Sequence, residues 1–348
     1  MYSVSQSKLR SWRTCHRQFY YKHIMNIMKK KKSTPLVRGT IIHEMLEANI
    51  DTGAAAARKV LKAHKKKIGK IMEGDDFYGV LDEIEILMDG YFDYYKPDPL
   101  KYIKHQGKKS EFEFEIKLAP GIMLKGKVDS AARSQDKLVW LVEHKSHKQI
   151  PISEFKFTDA QSGLYTLAMP EVGLPKPDGV CWDYIKTNSP KKPEVLKSGE
   201  LSKKKSINTT WPVYLSAIEE EDLDPSDYED VREHLDGKEA DFYIRVFLPI
   251  SETFINNLKD EAIMTAREME KRAGVDRTRS LGQHCSWCDM RDLCQASLLG
   301  LDESFILARN YMENDYGKTN EEKAKQPKRG IRLPKNKGQD RGSKKSRT

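Results

Sequence analysis

A chain of 348 residues allows one large domain or two ordinary ones at roughly 100–200 residues each, and 38 % hydrophobic with 32 % charged residues is polar yet too apolar for general disorder. No stretch approaches the ~18 uninterrupted apolar residues that cross a bilayer, and the opening MYSVSQSKLRSW lacks a signal-peptide apolar core, so a cytoplasmic protein without a membrane span is expected. The formal net charge of +9 sits in the tail: residues 317–348 hold 12 Lys+Arg and 3 Asp+Glu, and taking these from the totals of 61 and 52 leaves 49 of each sign in residues 1–316. Any basic groove in the body must therefore be balanced by an acidic site, the arrangement a metal-dependent enzyme acting on a polyanion needs.

Residues 3–25 open with cap-type serines and place Leu9, Trp12, Cys15 or His16, and Phe19 at helical spacing, which predicts one helix. A second helix is expected to begin near Arg38 and Gly39 in LVRGTIIHEMLEANI, and residues 54–95 repeat apolar residues at helical intervals for one or two more, making a helical region of about 36–100. The period then changes. EFEFEIKL (111–118), GIMLKGKVDSAAR (121–133) and KLVWLVEHKSH (137–147) read as a three-stranded meander, FTDAQSGLYTLAM (157–169) as a helix and GVCWDYIKT (179–187) as a strand. Residues 188–210, rich in Lys, Ser and Pro, predict a mobile basic loop or an extended hairpin. DFYIRVFLPI (241–250) is a strand, and residues 251–272 are a helix with Ser251 as N-cap. The last 32 residues have almost no hydrophobes and are expected to be disordered.

The strongest acidic constellation is Asp129, at the end of GKVD, with Glu143-His144-Lys145 on the neighbouring strand. Side chains alternate along a strand, so Glu143 and Lys145 share one face and His144 points to the other. Two carboxylates on adjacent strand ends with a lysine nearby make a hard-oxygen site for Mg²⁺ or Mn²⁺, able to orient water against a phosphodiester. The alternative is a surface ion pair of Glu143 with Lys145 or Lys127. His43 and Glu47 lie four apart on one helical face, and His43 offers a nitrogen ligand to a Mn²⁺-tolerant site; the competing reading is a histidine packed beneath the sheet. Gln161 and Tyr165 are again four apart, placed to hold a phosphate or the attacking water, although a tyrosine at that spacing also suits a core.

Four of five cysteines form a pattern, Cys285-x-x-Cys288-x5-Cys294 with Cys15 far upstream, whereas Cys181 sits in an apolar strand and reads as core. Three clustered thiols and a distant fourth suit a structural zinc site or an iron–sulfur cluster, and a cytosolic setting disfavours disulfides.

Taken in order, these pieces resemble the RecB-like branch of the PD-(D/E)xK nuclease superfamily over residues 3–294. The matching features are the RG-x-x-x-H-x-x-x-E helix (Arg38 to Glu47), the G-x-V-D strand end (Gly126 to Asp129), the E-x-K strand (Glu143 to Lys145) and the Q-x-x-x-Y helix (Gln161 to Tyr165). The resemblance implies an α/β fold with a restriction-endonuclease-like core, a mixed central sheet flanked by helices, carrying an N-terminal helical insertion and a C-terminal cysteine-cluster segment. It implies one nuclease domain over residues 1–316 with its core at about 110–187, a basic loop at 188–210, and a basic tail at 317–348. His43, Asp129 and Glu143 would be ligands of Mg or Mn, Lys145 the catalytic lysine, and Gln161 and Tyr165 a DNA-orienting pair. Cys15 joined to Cys285, Cys288 and Cys294 is similar to the iron–sulfur staple of AddB-type and CRISPR-associated RecB-like exonucleases, which favours a structural 4Fe–4S cluster over zinc. His147, after the E-x-K motif, departs from the small polar or basic residues usual there.

The function these features imply is a metal-dependent DNA nuclease, an exonuclease acting on single-stranded ends with endonuclease activity as the alternative, and repair, recombination, spacer acquisition and phage replication all remain open as its setting. No G-x-x-x-x-G-K-[ST] loop is present, so any unwinding would come from a helicase or recombination partner. One alternative is a non-catalytic DNA-binding or assembly subunit that retains the fold, against which the intact Asp129, Glu143 and Lys145 set counts. Another is a zinc-bearing nucleic-acid-binding module carried by the tail, against which the absence of a second Cys/His pair counts.

Overall fold

The computed structural model describes residues 1–31, 33–66, 77–150 and 159–314; the basic tail lies outside them. The chain begins with β1 (Tyr2–Val4), α1 (Gln6–Thr14), α2 (His16–Phe19), a π turn (Tyr20–Ile24) and β2 (Ile27–Lys29), followed by α3 (Thr34–Thr52), α4 (Ala54–Lys65) and α5 (Phe77–Tyr94). Then come β3 (Lys101–Tyr102), β4 (Ser110–Ala119), β5 (Ile122–Arg133), β6 (Val139–His147), α6 (Ala160–Glu171) and β7 (Gly179–Lys186). The remainder is α7 (Trp211–Glu220), α8 (Glu229–Leu235), β8 (Tyr243–Pro249), α9 (Glu252–Arg272), α10 (Arg291–Leu298), α11 (Glu303–Asn310) and β9 (Tyr311–Glu313). These elements divide into two compact units, Met1–Leu9 with Lys31–Arg267, and Arg10–Lys30 with Glu268–Thr348.

The first unit is a mixed α/β fold whose sheet, among the described residues, has seven strands. The alternating Phe and Ile of β4 pair antiparallel with β5, which pairs antiparallel with β6, as the meander pattern predicts. β6 runs parallel to β7 with α6 as the crossover, and β8 closes antiparallel on β7. β4 occupies one edge of β5 from Ile122 to Ser130. On the other edge β1 covers residues 122–124 and β6 covers residues 130–133, so residues 125–129 have no laddered neighbour there among the described residues. Helices α3, α4 and α5 bury Ile41, Met45, Leu61, Leu81 and Leu87 against Ile185, Phe242 and Tyr243. Helix α6 packs on β4 to β7, where the Trp182 indole N–H donates to Ser162 Oγ at 3.2 Å.

Several elements differ from the sequence expectation. The single helix over residues 3–25 is broken at Cys15, whose backbone is extended (φ −167°, ψ 119°), because the Arg17 N–H bonds the Thr278 carbonyl at 2.8 Å instead of continuing the helix. Helix α3 starts at Thr34, ahead of Arg38, since Pro35 fits a first helical turn that needs no N–H there. Of the two readings of residues 188–210, the hairpin agrees with the antiparallel bridge between Val195 and Leu201, and Leu201 is buried with Tyr214 and Ile218 of α7 and Tyr228 and Val231 beside it. Helices α7 and α8, to which the sequence reading assigns no element, are stabilised by this non-local cluster. The second unit gathers Tyr20, Tyr21, Ile27, Met290, Leu293 and Tyr311 in a small core, with β2 antiparallel to β9.

One buried ionic network supports β6 and β7 from below. The register sets His144 opposite Asp183, and His144 Nδ1 lies 3.1 Å from Asp183 Oδ2, which also accepts the Tyr91 hydroxyl of α5. Arg245 of β8 approaches Asp183 Oδ1 at 3.5 Å, donates to both Asp98 oxygens at 2.6 and 3.0 Å, and lies 3.8 Å above the Tyr95 ring. Asp183 is fully buried, and burial alone would raise its pKa; Arg245 and the hydrogen bonds from His144 and Tyr91 outweigh that and hold it below the usual carboxylate value. A depressed carboxyl contributes stability above its unfolded pKa of ~3.9 and loses it as pH falls through the lower folded value. Asp183→Asn is therefore expected to cost about 3 kcal/mol at neutral pH. The difference from wild type in urea unfolding should narrow below about pH 4; an equal difference at neutral and acid pH would contradict this account.

Candidate active site

The site begins where β5 and β6 part. Their ladder pairs Ser130 with Val142 and goes no further toward Asp129, so the His144 N–H loses a strand partner and donates instead to Asp129 Oδ2 at 2.9 Å. Asp129 is thus not at the end of β5 but within it, at the point of divergence. From α3, His43 Nδ1 lies 3.8 Å from the same oxygen. Burial holds the His43 imidazole below its ordinary pKa against the pull of Asp129.

Glu143 is almost wholly buried at 2 % exposure. Its Oε1 accepts Lys145 Nζ at 2.8 Å and Gln161 Nε2 at 2.7 Å, while its Oε2 is buried with no hydrogen-bond partner among the described residues. Burial, and then the charge of Asp129, push its carboxyl up to about 8 despite Lys145. For Lys145 burial works the other way, but Glu143 and Asp159 outweigh it and keep the ammonium above its ordinary value. A surface ion pair is therefore not what forms: Glu143 is interior, and Lys127 pairs elsewhere, with Glu111 at 2.6 Å.

Asp159 is a member of the cluster that sequence reasoning missed. As N-cap of α6 it accepts the backbone N–H of Gln161 at 3.0 Å, and its Oδ2 holds Lys145 Nζ at 3.2 Å. Lys145 and the two backbone bonds hold this carboxyl below its ordinary value although burial opposes them. The available signal was an Asp directly before the helical run AQSGLYTL.

The structure brings His43, Asp129, Glu143, Lys145, Gln161 and Tyr165 together. Tyr165 stands edge-on to Phe114 at 5.0 Å, and burial, then Glu143 and Asp129, raise its pKa. Glu47 does not join: apart from burial, its electrostatic neighbours are Glu111, Lys127 and Asp51. His147 sits 5.7 Å from the Tyr184 ring. In the second unit Cys15, Cys285, Cys288 and Cys294 are free thiols lining one cavity of about 260 Å³, where Gln18 Nε2 donates to Cys288 Sγ at 3.3 Å. Cys181 is fully buried in β7 beside Trp140 and Val142.

Among the described residues no three His, Cys, Asp or Glu side chains converge closely enough to hold a metal ion as they stand. The donor set nevertheless suits a hard divalent cation: a buried carboxylate with one unpartnered oxygen, a second carboxylate beside it whose charge raises its pKa, and an imidazole at the rim. The cysteine cavity likewise presents four sulfur donors and no disulfide.

A family model for the PD-(D/E)XK nuclease superfamily matches residues 3–295. The chain is similar to the crystal structure of SSO0001, with a TM-score of 0.30 and 12 % sequence identity, covering 84 % of this chain and 86 % of that one. Comparison with curated proteins finds no match.

Gly126 of the G-x-V-D run has a packing reason. A Cβ there would lie 2.7 Å from Phe114 Cζ and 2.8 Å from the Tyr165 hydroxyl, so only glycine lets Tyr165 reach its position. Gly126→Ala is expected to destabilise the protein by about 1–3 kcal/mol through overpacking. In a double-mutant cycle with Tyr165→Phe, which removes the nearest polar atom, part of that cost should return; strict additivity would show that the two residues do not press on each other.

Proposed function

The chain belongs to the PD-(D/E)XK nuclease superfamily, and on that premise we propose that it is a Mg²⁺- or Mn²⁺-dependent DNA exonuclease acting on single-stranded ends by phosphodiester hydrolysis. The observation that carries this reading is Glu143, a buried carboxylate held by Lys145 and Gln161, with its second oxygen unpartnered among the described residues and Asp129 beside it. His43, Asp129 and Glu143 would hold the ion, which supplies Lewis-acid polarisation and a nucleophilic water at neutral pH. Lys145 remains protonated and offsets negative charge on the phosphodiester. Asp159 keeps the Lys145 ammonium from collapsing wholly onto Glu143. Gln161 orients Glu143, and Tyr165 closes the site against Phe114.

Cys15, Cys285, Cys288 and Cys294 would hold a 4Fe–4S cluster, with zinc as the competing occupant, and its role would be to cross-link the second unit. Repair or recombination, with a helicase partner, is the setting this activity suits. The competing reading, a non-catalytic DNA-binding or assembly subunit, is disfavoured by the complete acidic, lysine and glutamine arrangement around Glu143.

Incubation with end-labelled single- and double-stranded DNA and Mg²⁺ or Mn²⁺ tests the reading, and product lengths report polarity. Asp129→Ala, Glu143→Ala and Lys145→Ala are each expected to lower the cleavage rate by at least ~10³-fold while DNA binding persists. Retained cleavage in all three would remove the assignment. His43→Ala should lose activity and regain part of it with excess Mn²⁺.

For the cysteines, anaerobically purified protein is expected to carry about four iron atoms per chain and broad visible absorption. Serine at any of the four positions should bleach that absorption and lower the melting temperature together, whereas Cys181→Ser should leave the absorption unchanged. One zinc and no iron would replace the cluster without touching the nuclease reading.

A further inference from the structure

Beyond Lys145 the first unit has a cavity of about 860 Å³, built where the parallel strands β6 and β7 end. Open α/β sheets bind ligands outside the carboxyl ends of their parallel strands. Its walls carry Arg38, Lys148, Lys186 and Lys191, and among the described residues the acid in its lining is Glu83, which is already bonded to Arg38. Asn188 and Asn208 add amide donors. The N-terminus of α3 forms a further wall; its first turn holds no acidic residue to compensate the helix dipole. Gly39 lets that helix approach the end of β6, since a Cβ there would lie 3.3 Å from Ser146 Oγ.

This lining is held in place before any ligand arrives. Arg38 also donates to the Thr187 carbonyl, and the Thr187 N–H returns to the His147 carbonyl at 2.8 Å. The Lys191 N–H bonds the Asn208 carbonyl at 3.0 Å, which closes the base of the loop, and the Lys186 ammonium lies 5.0 Å over the Phe242 ring.

We propose that this cavity seats the phosphodiesters of an unpaired nucleic-acid strand next to the scissile bond, so that Arg38, Lys186 and Lys191 select single strands for the site on β6. The inference rests on the nuclease reading. Glu143, Lys145 and His147 alternate onto one face of β6, and at ~3.3 Å per residue His147 stands roughly 13 Å beyond Glu143, about two nucleotides of an extended strand. The volume is that of a pocket enclosing a small ligand, room for a few nucleotides of one strand. Fixed cations tracking a backbone are the usual means of gripping single strands.

The test measures binding, with Ca²⁺ replacing Mg²⁺, of a labelled short oligothymidylate and a blunt duplex of the same length to the full chain and to Lys186→Glu/Lys191→Glu. Wild type is expected to bind the strand more tightly than the duplex, and the variant to lose about tenfold or more for the strand alone. A second variant of two exposed residues, Lys148→Gln/Lys191→Gln, keeps the test open if the first misfolds; its log–log salt slope for the strand should be shallower by about 1.4. Hydrolysis of the p-nitrophenyl ester of thymidylate, too small to reach the cavity, should be unchanged in both. Strand affinity within about twofold of wild type in a folded variant, or an equal loss for strand and duplex, would overturn the proposal. Failure of the wild type to cleave DNA or the ester with any divalent metal would instead remove the nuclease reading, while the binding comparison would still decide the cavity.

Discussion

The parting of β5 from β6 is the constraint on which the candidate site depends. Two antiparallel strands that stayed paired would satisfy the His144 N–H with a carbonyl and leave Asp129 to solvent. Because the ladder stops at Ser130 and Val142, that N–H turns to Asp129, and the carboxylate is pinned beside Glu143 by backbone geometry rather than by a long side chain. On the face that β5 shares with Phe114 of β4, Gly126 leaves room for the Tyr165 ring. The local divergence thus places Asp129, which His43 approaches from α3.

Gathering acids in the interior is unfavourable unless cations answer them. Glu143 carries the burden most visibly, with its carboxyl pushed up to about 8 by burial and then by Asp129. Lys145 and the N-cap Asp159 give the cluster its internal compensation, and the network of His144, Asp183 and Arg245 stiffens the opposite side of the same strands. Adjacent residues of β6 therefore face different groups: Glu143 and Lys145 the acidic cluster, His144 the buried network with Asp183. Farther along that strand the lining turns basic, so the first unit sets an acidic site next to a cationic cavity.

What was legible in the sequence follows the range of the forces involved. Alternation in EFEFEIKL and the charged end of KLVWLVEHKSH are local patterns, and the meander follows them. The spacing of Gln161 and Tyr165 likewise survives as one face of α6 aimed at Glu143. The break at Cys15 was hidden because a bond from Arg17 to Thr278, far along the chain, overrides helical spacing. The pairing of His144 with Asp183 depends on the parallel register of β6 and β7, which no local pattern encodes. Helix α7 did carry a local signal, Thr210 at the cap position and Pro212 in the first turn, whereas its burial against Leu201 of the preceding loop is non-local.

The central claim is that Asp129 and Glu143 form a divalent-metal site at the divergence of β5 and β6. Electron paramagnetic resonance of Mn²⁺ titrated into the full chain tests it most directly, because it reads the ion without requiring a substrate. The account predicts a saturable site in the wild type that is lost in folded Glu143→Gln and in folded Asp129→Asn. Mn²⁺ binding in those variants equal to that of the wild type would contradict it.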